Sequence, residues 1–375
     1  MKEIKMVDLN GQYEKIKNQV DEAIQKVLQS AAFIKGPEVK IFENSLNSYL
    51  GSHKVISCAN GTDALQIALM ALDLKPGDEV ITTPFTFVAT VEVVKLLGLK
   101  PVFTDIEAGS FNMDISGIEK KITEKTKALV PVHLFGQCAD MEGLLALAKK
   151  YKLFIIEDAA QSLGSNYIFS NGSQKKSGTI GNIGCTSFFP SKNLGAFGDG
   201  GALFTDDPNI ALKIQAIVNH GMIQRYHYDY VGVNSRLDTL HAAILNVKLR
   251  YLDEYNFARR TAAEFYDEAL GNLDGIKIPA RMKYSDHIFH QYTIRVANGK
   301  RDALRAHLEK SSVPSMIYYP LSLHLQKAYA GLGYKKGDFP ESEKACEEVL
   351  SLPMHTELDA DQLHYIVERI IEFVN

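Results

Sequence analysis

The sequence has 375 residues, of which 46% are apolar and 23% charged, and its formal net charge is −4 at pH 7. This length and composition are typical of a globular protein with one large domain or two smaller ones, and they exclude a disordered or fibrous chain. The slight acidic excess, with no basic cluster longer than a pair, argues against a nucleic-acid partner.

The cysteines are widely spaced and follow no CxxC or Cys/His ligand pattern, so we expect reduced thiols and no metal site. The N-terminal sequence MKEIKMVDLN lacks the apolar core of a signal peptide. No run approaches the roughly 20 apolar residues that a membrane span needs. These features predict a cytoplasmic protein without a membrane partner.

Two helices are predicted at the start of the chain. Apolar residues recur at helical spacing over residues 12–29, and Pro37 suits the first position of a second helix. From residue 54 to 211, short apolar runs alternate with helical periodicity, which indicates an α/β fold with a mostly parallel sheet covered on both faces. The predicted strands are residues 55–58, 79–82, 101–104, 128–132, 154–157, 186–189 and 201–205, with helices at 64–72, 88–97 and 141–151.

The strand pattern fades beyond residue 206. Residues 237–251 carry one apolar stripe, which predicts a long helix. We expect a large domain at residues 1–250 and a smaller C-terminal α+β domain at residues 251–375. In the smaller domain the predicted strands are residues 290–296 and 316–319, and the predicted helices are residues 301–310 and 360–373. The most loop-like segment is 164–178.

Several predicted strands end in polar or aromatic residues, at the edge where parallel sheets bind ligands. Gly61 and Thr62 open a helix, where free N–H groups and a hydroxyl can cradle a phosphate, although an ordinary helix cap is the simpler alternative. Phe87 offers a ring, as many core aromatics do. Asp158 ends another strand, where a buried carboxylate is costly unless a cation or a hydrogen bond meets it; helix capping is again the alternative.

The segment TSFFPSKNLGAFGDGG presents a single lysine, Lys192, between a predicted strand and four glycines. A glycine-rich hairpin with a solvated lysine is the alternative explanation. Lys192, Asp158, Phe87 and Ser187 around one phosphate cradle would suit a flat, phosphorylated aldehyde such as pyridoxal 5′-phosphate. The lysine amine can form an imine with the aldehyde, and the carboxylate can keep the ring nitrogen protonated.

Six segments of the chain are, in order, VISCANGTDALQIAL, TPFTFVATVE, PVHLFGQCADM, IIEDAAQSLG, SFFPSKNLGAFGDGG and VGVNSRLDTLHAAIL. Together they resemble the signatures of the DegT/DnrJ family of sugar aminotransferases. The resemblance covers nearly the whole chain. It implies the aspartate aminotransferase-type fold (fold type I), a homodimer with shared active sites, and a cofactor that alternates between pyridoxal and pyridoxamine 5′-phosphate.

The resemblance also implies roles for individual residues. Lys192 is similar to the lysine that forms the Schiff base and moves protons, and Asp158 to the partner of the pyridine nitrogen. The remaining cofactor contacts that it implies are Gly61, Thr62 and Ser187 at the phosphate, Phe87 against the ring, Gln161 near the 3-hydroxyl, and the partner subunit's Asn234 at the phosphate.

The implied substrates are an amino donor, glutamate, and a nucleotide-linked keto sugar. Residues 233–238, VNSRLD, resemble members that aminate C3 more than those that act at C4. The resemblance is greatest to UDP-2-acetamido-2-deoxy-3-oxo-hexuronate 3-aminotransferases, which serve surface polysaccharide synthesis. An anionic substrate needs positive and hydrogen-bonding partners. The candidates are Arg225, Arg236, Tyr318, Tyr319 and His324.

Other functions remain open at this point: a 4-keto sugar aminotransferase, an amino-acid aminotransferase, a sugar dehydratase of the same fold, or a non-catalytic sensor. The dehydratases of this family carry histidine in place of the Schiff-base lysine, whereas this chain has Lys192. A sensor is expected to lose Lys192 or Asp158, and the chain has both.

Overall fold

The computed structural model describes residues 2–51 and 54–375. In chain order the strands are β1 (Lys54–Cys58), β2 (Glu79–Thr82), β3 (Lys100–Phe103), β4 (Thr126–Leu129), β5 (Phe154–Asp158), β6 (Asn166–Ile168), β7 (Gln174–Lys176), β8 (Ile183–Ser187), β9 (Gly201–Thr205), β10 (Met222–Gln224), β11 (His227–Tyr228), β12 (Ile276–Lys277), β13 (Tyr292–Val296) and β14 (Val349–Leu352). The α-helices are α1 (Leu9–Ser30), α2 (Pro37–Leu50), α3 (Gly61–Ala71), α4 (Ala89–Leu96), α5 (Met141–Tyr151), α6 (Pro208–Ile217), α7 (Thr239–Leu249), α8 (Leu252–Leu270), α9 (Arg301–Lys310), α10 (Pro340–Glu348) and α11 (Ala360–Val374). Short 3₁₀ turns lie at Ile115–Gly117, Glu119–Lys121, Leu134–Gly136, Leu323–Leu325 and Lys327–Leu332.

The large sheet has seven strands in the order β1-β9-β8-β5-β4-β2-β3. The pairs from β8 to β3 are parallel, and β9 runs antiparallel to both of its neighbours. Every strand except β9 therefore ends at the same edge of the sheet. This arrangement confirms the predicted mostly parallel sheet and brings the polar strand ends together.

The predicted strand at residues 186–189 begins three residues too late and ends two residues too late. Its strand, β8, begins at Ile183 and ends at Ser187, because pairing with β9 stops at Gly201. Phe188 adds one more backbone bond, to the Gly200 carbonyl at 2.7 Å, and Pro190 then has no N–H to offer. The chain leaves the sheet at this point, directly before Lys192.

A second, three-stranded sheet has the order β12-β13-β14 and packs with α8, α9 and α11 around its own apolar core. The N-terminal residue Ile4 also joins this core. The division of domains at residue 250 stays a prediction. The predicted strand at 316–319 is wrong, since only Met316 forms a bridge, to Ser351. The loop-like segment contains the β6–β7 hairpin, which buries Tyr167 in the large domain.

None of the helices in residues 2–51 and 54–375 combines the length and hydropathy that a membrane-spanning segment requires. The cytoplasmic location stays a prediction. The N-terminal helices agree with expectation: Asp8 caps α1 by accepting a hydrogen bond from the Gly11 N–H, and Pro37 occupies the first position of α2. Ile16 and Val20 of α1 pack against α7.

Candidate active site

A cavity of about 830 Å³ opens at the edge of the large sheet where the strands end. This volume is within the usual range of small-molecule sites. The structure brings nine predicted site residues to its wall: Gly61, Thr62, Phe87, Asp158, Gln161, Ser187, Lys192, Tyr318 and Tyr319. Residues 317–320 also line the cavity, although they form no strand.

The first turn of α3 leaves two backbone donors free. The cap is Asn60, whose side chain accepts a hydrogen bond from the Asp63 N–H at 2.8 Å, so neither Thr62 nor Asp63 is the capping residue. Within the described chain, the N–H groups of Gly61 and Thr62 have no acceptor. Both residues face the cavity. The helix end is therefore capped and still able to bind an anion with its two free donors.

Gly61 lies unusually close to the end of β8. A Cβ atom at this position would come within 2.7 Å of the Ser187 Cβ, closer than two carbon atoms can pack. The Ser187 hydroxyl accepts a hydrogen bond from the Phe189 N–H at 3.2 Å and keeps its own proton for another partner. The glycine thus allows the hydroxyl and the helix N-terminus to face one small volume.

Gly61→Ala is expected to weaken phosphate binding, because the added methyl group must push Ser187 or the first turn of α3 aside. We expect the dissociation constant for pyridoxal 5′-phosphate, measured by equilibrium dialysis, to rise roughly tenfold or more. Gly331→Ala is the matched control, since a Cβ there meets open space. Equal affinities for the two variants would show that the close approach is unimportant.

Lys192 stands on a turn whose glycines are required by close packing. A Cβ on Gly195 would lie 2.2 Å from the Pro190 carbonyl oxygen, which is too close for any side chain. None of the four glycines after Lys192 adopts a positive φ, so the backbone conformation itself does not require glycine there. The Lys192 N–H donates to the Phe189 carbonyl at 2.8 Å, and the side chain lines the cavity. Burial lowers the pKa of Lys192 to about 8, against the opposing effect of the Asp158 carboxylate. Lys192 is therefore not the solvated lysine of an ordinary hairpin.

The lowered pKa of Lys192 predicts how cofactor capture depends on pH. Only the neutral amine attacks an aldehyde, so the rate of covalent capture by the apoprotein should rise with pH and level off above about 8. In Asp158→Asn the midpoint should move to lower pH, because the carboxylate favours the charged ammonium. Stopped-flow absorbance measures both profiles; a wild-type rate that keeps rising toward the ordinary lysine pKa of 10.5 would contradict the assignment.

Asp158 is buried at the end of β5 and accepts two hydrogen bonds. Its Oδ1 atom accepts from the Ala160 N–H at 3.2 Å, and its Oδ2 atom accepts from the Thr90 hydroxyl at 2.8 Å. Burial raises the pKa of Asp158, while these two bonds and the charge of Lys192 oppose that rise. Asp158 thus bonds the N–H two residues on, as the capping alternative expects, but no helix begins there. The carboxylate is left with lone pairs that face the cavity.

Gln161 has a fixed amide orientation. Its Oε1 atom accepts from the Phe135 N–H at 2.7 Å, so its Nε2 group donates to the Tyr319 hydroxyl at 3.3 Å. The Tyr319 proton is then free to donate into the cavity. On another wall the ring of Phe87 is 55% exposed, and it lines the same cavity. The cavity therefore presents an exposed aromatic face together with hydrogen-bond donors.

His324 does not reach the cavity. Its Nε2 atom donates to Glu343 at 3.0 Å, and its Nδ1 atom lies 2.8 Å from the Ser322 hydroxyl. The ring is 1% exposed. Both nitrogens are occupied within the protein, so this histidine supports the segment that carries Tyr319 and has no free nitrogen for a substrate.

The remaining predicted residues lie outside the cavity of this chain. Arg225 is exposed at the β10–β11 hairpin, with its guanidinium over the Tyr226 ring. Asn234 is exposed and forms an isolated bridge with Asn219, and Arg236 is partly buried in the same loop. A single chain therefore does not bring these three residues to the lysine.

Sequence reasoning missed several residues of the wall. Thr86 and His290 both line the cavity. Thr90 does not line it, but its hydroxyl lies within hydrogen-bond distance of the Asp158 carboxylate. Burial and the nearby Lys192 hold the pKa of His290 well below its usual range, so its ring is neutral. Thr90 belongs to the TPFTFVATVE segment, where helical periodicity concealed its polar contact. For His290 the sequence carried no distinguishing signal.

Comparison with known proteins places this site in a family. The model of the DegT/DnrJ/EryC1/StrS aminotransferase family matches residues 14–371. The chain is 47% identical over 374 residues to the "Pleiotropic regulatory protein" of Geobacillus stearothermophilus, covering 99% of this chain and 98% of that one. It is 46% identical over 363 residues to the "UDP-2-acetamido-2-deoxy-3-oxo-D-glucuronate aminotransferase" of Pseudomonas aeruginosa, covering 97% and 98%.

Solved structures agree with the sequence comparison. The crystal structure of S. venezuelae DesV "in complex with ketimine intermediate" superposes with a TM-score of 0.95 at 37% identity, covering 100% of this chain and 99% of that one. The expected fold type I architecture is thereby confirmed. The chain belongs to the DegT/DnrJ/EryC1/StrS aminotransferase family.

Proposed function

We propose that this chain is a pyridoxal 5′-phosphate-dependent aminotransferase that converts the C3 keto group of a nucleotide-linked sugar into an amine. One observation carries the proposal: the amine of Lys192 and the buried carboxylate of Asp158 share a cavity with the free donors of the α3 N-terminus. Family membership supports transamination. The 46% identical relative, named for a 3-oxo sugar nucleotide, supports C3.

The residues of the cavity fit pyridoxal 5′-phosphate. The N–H groups of Gly61 and Thr62 and the Ser187 hydroxyl suit a phosphate, and the space that a Cβ on Gly61 would fill is left open. Asp158 suits a protonated ring nitrogen, and Lys192 suits an aldehyde. The donor set thus contains a partner for each reactive end of this cofactor.

When bound, the cofactor supplies an electron sink that makes the carbon-bound proton of the amino donor acidic. Lys192 would hold the cofactor through its Nζ atom, and its free amine would accept and return that proton as a general base and acid. The lowered pKa of Lys192, about 8, keeps a usable fraction of the amine neutral near physiological pH. Asp158 would supply a negative charge to the protonated ring nitrogen, and Gln161 and Tyr319 offer hydrogen-bond donors from another wall of the cavity.

The proposed substrates are glutamate as donor and a UDP-linked 3-keto hexuronate as acceptor, in the synthesis of a surface polysaccharide. The proposal includes a homodimer, in which the partner subunit's Asn234 and the partner subunit's Arg236 complete the site. The exposed apolar side chains around the β10–β11 hairpin support an interface there: Ile223, Tyr226, Tyr228 and Val231. Sedimentation velocity tests the dimer, and a monomer that retains full activity would contradict it.

A panel of UDP- and dTDP-linked 3-keto and 4-keto sugars, each incubated with glutamate, tests the function. Mass spectrometry of the products should find an amine at C3 of the UDP-linked sugar. Amination at C4 would transfer the assignment to a 4-keto aminotransferase, and loss of a hydroxyl without gain of nitrogen would indicate a dehydratase. Exchange between amino acids and keto acids alone would indicate an amino-acid aminotransferase.

A regulatory protein is the second candidate, because the 47% identical relative carries a regulatory name. A protein that only senses has no need of an activated lysine, yet Lys192 is half-buried in the cavity that Asp158 also lines, and its pKa is lowered. The absorbance of the purified, cofactor-loaded protein separates the two functions. A lysine-bound band that disappears on addition of glutamate supports transamination, whereas a band that glutamate leaves unchanged supports sensing.

A further inference from the structure

Thr90 touches the Asp158 carboxylate from the side of α4. It lies in the first turn of that helix, on the same face as Val93 and Val94, which pack into the core above the sheet. Thr90 is 1% exposed, and its hydroxyl lies 2.8 Å from the Asp158 Oδ2 atom. Among the described residues, no other side chain hydrogen-bonds to Asp158.

The direction of this hydrogen bond follows from chemistry. An ionised carboxylate can only accept, so the Thr90 hydroxyl must donate its proton to Asp158. Its oxygen can then accept from the Thr86 hydroxyl, which lies 3.2 Å away, is 2% exposed and lines the cavity. The two threonines thus form a buried hydrogen-bond chain, in which Thr86 donates to Thr90 and Thr90 donates to the carboxylate. Such a chain stabilises the charged form of Asp158 and restricts its rotation.

The other groups around Asp158 cannot replace this contact. His133 is committed to Glu157, to which its Nε2 atom donates at 2.9 Å while its Nδ1 atom accepts from Ala139. Lys192 must leave its resting position during turnover, so its charge beside Asp158 is not constant. The Ala160 N–H satisfies only the Oδ1 atom. Among the described residues, Thr90 is therefore the one hydrogen-bond donor to the Oδ2 atom.

We propose that Thr90 is a positioning residue for transamination, whose hydroxyl keeps the Asp158 carboxylate ionised and directed into the cavity. This inference rests on the proposed function. Without the hydroxyl, burial favours a protonated or rotated Asp158, and a cofactor nitrogen facing it would carry less positive charge. Amino transfer would slow for that reason, although Lys192 and the phosphate cradle are unchanged.

Thr90→Val tests the proposal, because valine keeps the shape of threonine and removes the hydroxyl. The direct readout is NMR of bound pyridoxal 5′-phosphate labelled at the ring nitrogen, whose signal should move toward that of a neutral pyridine. The single-turnover rate with glutamate should fall roughly tenfold. Thr90→Ser keeps the hydroxyl and should restore both readouts to near the wild-type values. A Thr90→Val protein with the wild-type nitrogen signal and rate would overturn the proposal.

Folding and function are separated within the same experiment. If Thr90→Val does not fold, Thr86→Val removes the next donor in the chain and should move the nitrogen signal in the same direction by a smaller amount. An unchanged signal in Thr86→Val would then overturn the proposal. Wild-type protein that binds no labelled cofactor would instead refute the proposed function, before any variant is compared.

Discussion

Replacing Lys192 by alanine is expected to abolish amino transfer. The variant loses the amine that binds the cofactor and moves the proton, and general acid–base catalysis alone contributes about 10²–10⁴-fold. We expect kcat, measured with glutamate and the best keto sugar of the panel, to fall by at least about 10⁴-fold. The lysine-bound absorbance band should disappear as well.

Two further measurements make this result specific to the amine. Lys192→Arg keeps a positive charge on a long side chain but has no nucleophilic nitrogen, so it should be as inactive as Lys192→Ala. Ethylamine added to Lys192→Ala supplies a free amine in the space that the side chain leaves, and part of the activity should return. Full activity in Lys192→Ala would refute the assignment of the catalytic lysine.

Asp158→Asn is expected to lower kcat by at least about a hundredfold, the usual cost of losing one preorganised electrostatic contact in an active site. The amide has nearly the shape of the carboxylate, and its one oxygen can still accept from Thr90, while its NH2 group then faces the Ala160 N–H. The amide carries no charge to hold a ring nitrogen protonated. Steady-state kinetics with glutamate measures the loss.

The stability of Asp158→Asn separates this effect from misfolding. Burial raises the pKa of Asp158, so the folded protein bears a cost for the charge that the neutral amide removes. The amide also loses the acceptor for the Ala160 N–H, which opposes this gain, so the apoprotein variant should melt within a few degrees of the wild type. A folded Asp158→Asn protein with the kcat of the wild type would contradict the proposed role.

Local patterns in the sequence were sufficient for the elements that present the site. The helix signature after β1, the polar strand ends and the glycine-rich segment around Lys192 each depend on neighbouring residues. The structure confirms these elements to within a few residues. The bounds of β8 were missed because pairing with its neighbours, from Ile183 with β5 to Ser187 with β9, decides them rather than the apolar run itself.

The other wall of the cavity could not be predicted in the same way. Residues 316–319 have the composition of a strand, yet only Met316 pairs with a neighbour and the others face the cavity. His324 looks like a substrate ligand in sequence, but Ser322 and Glu343 occupy its two nitrogens. Such outcomes depend on which side chains of distant segments come within hydrogen-bond distance.

The sequence by itself determined the chemistry on offer: one lysine on a glycine-rich turn, one carboxylate at the end of a buried strand, and a helix start suited to phosphate. Only the tertiary structure decided the pKa values and the hydrogen-bond partners of these groups. Packing lowers the pKa of Lys192 by burial, and it brings the Thr90 hydroxyl to Asp158 across 68 positions of the chain. Desolvation and long-range hydrogen bonds arise from the packing of α4 on the sheet, and no local pattern of residues encodes them.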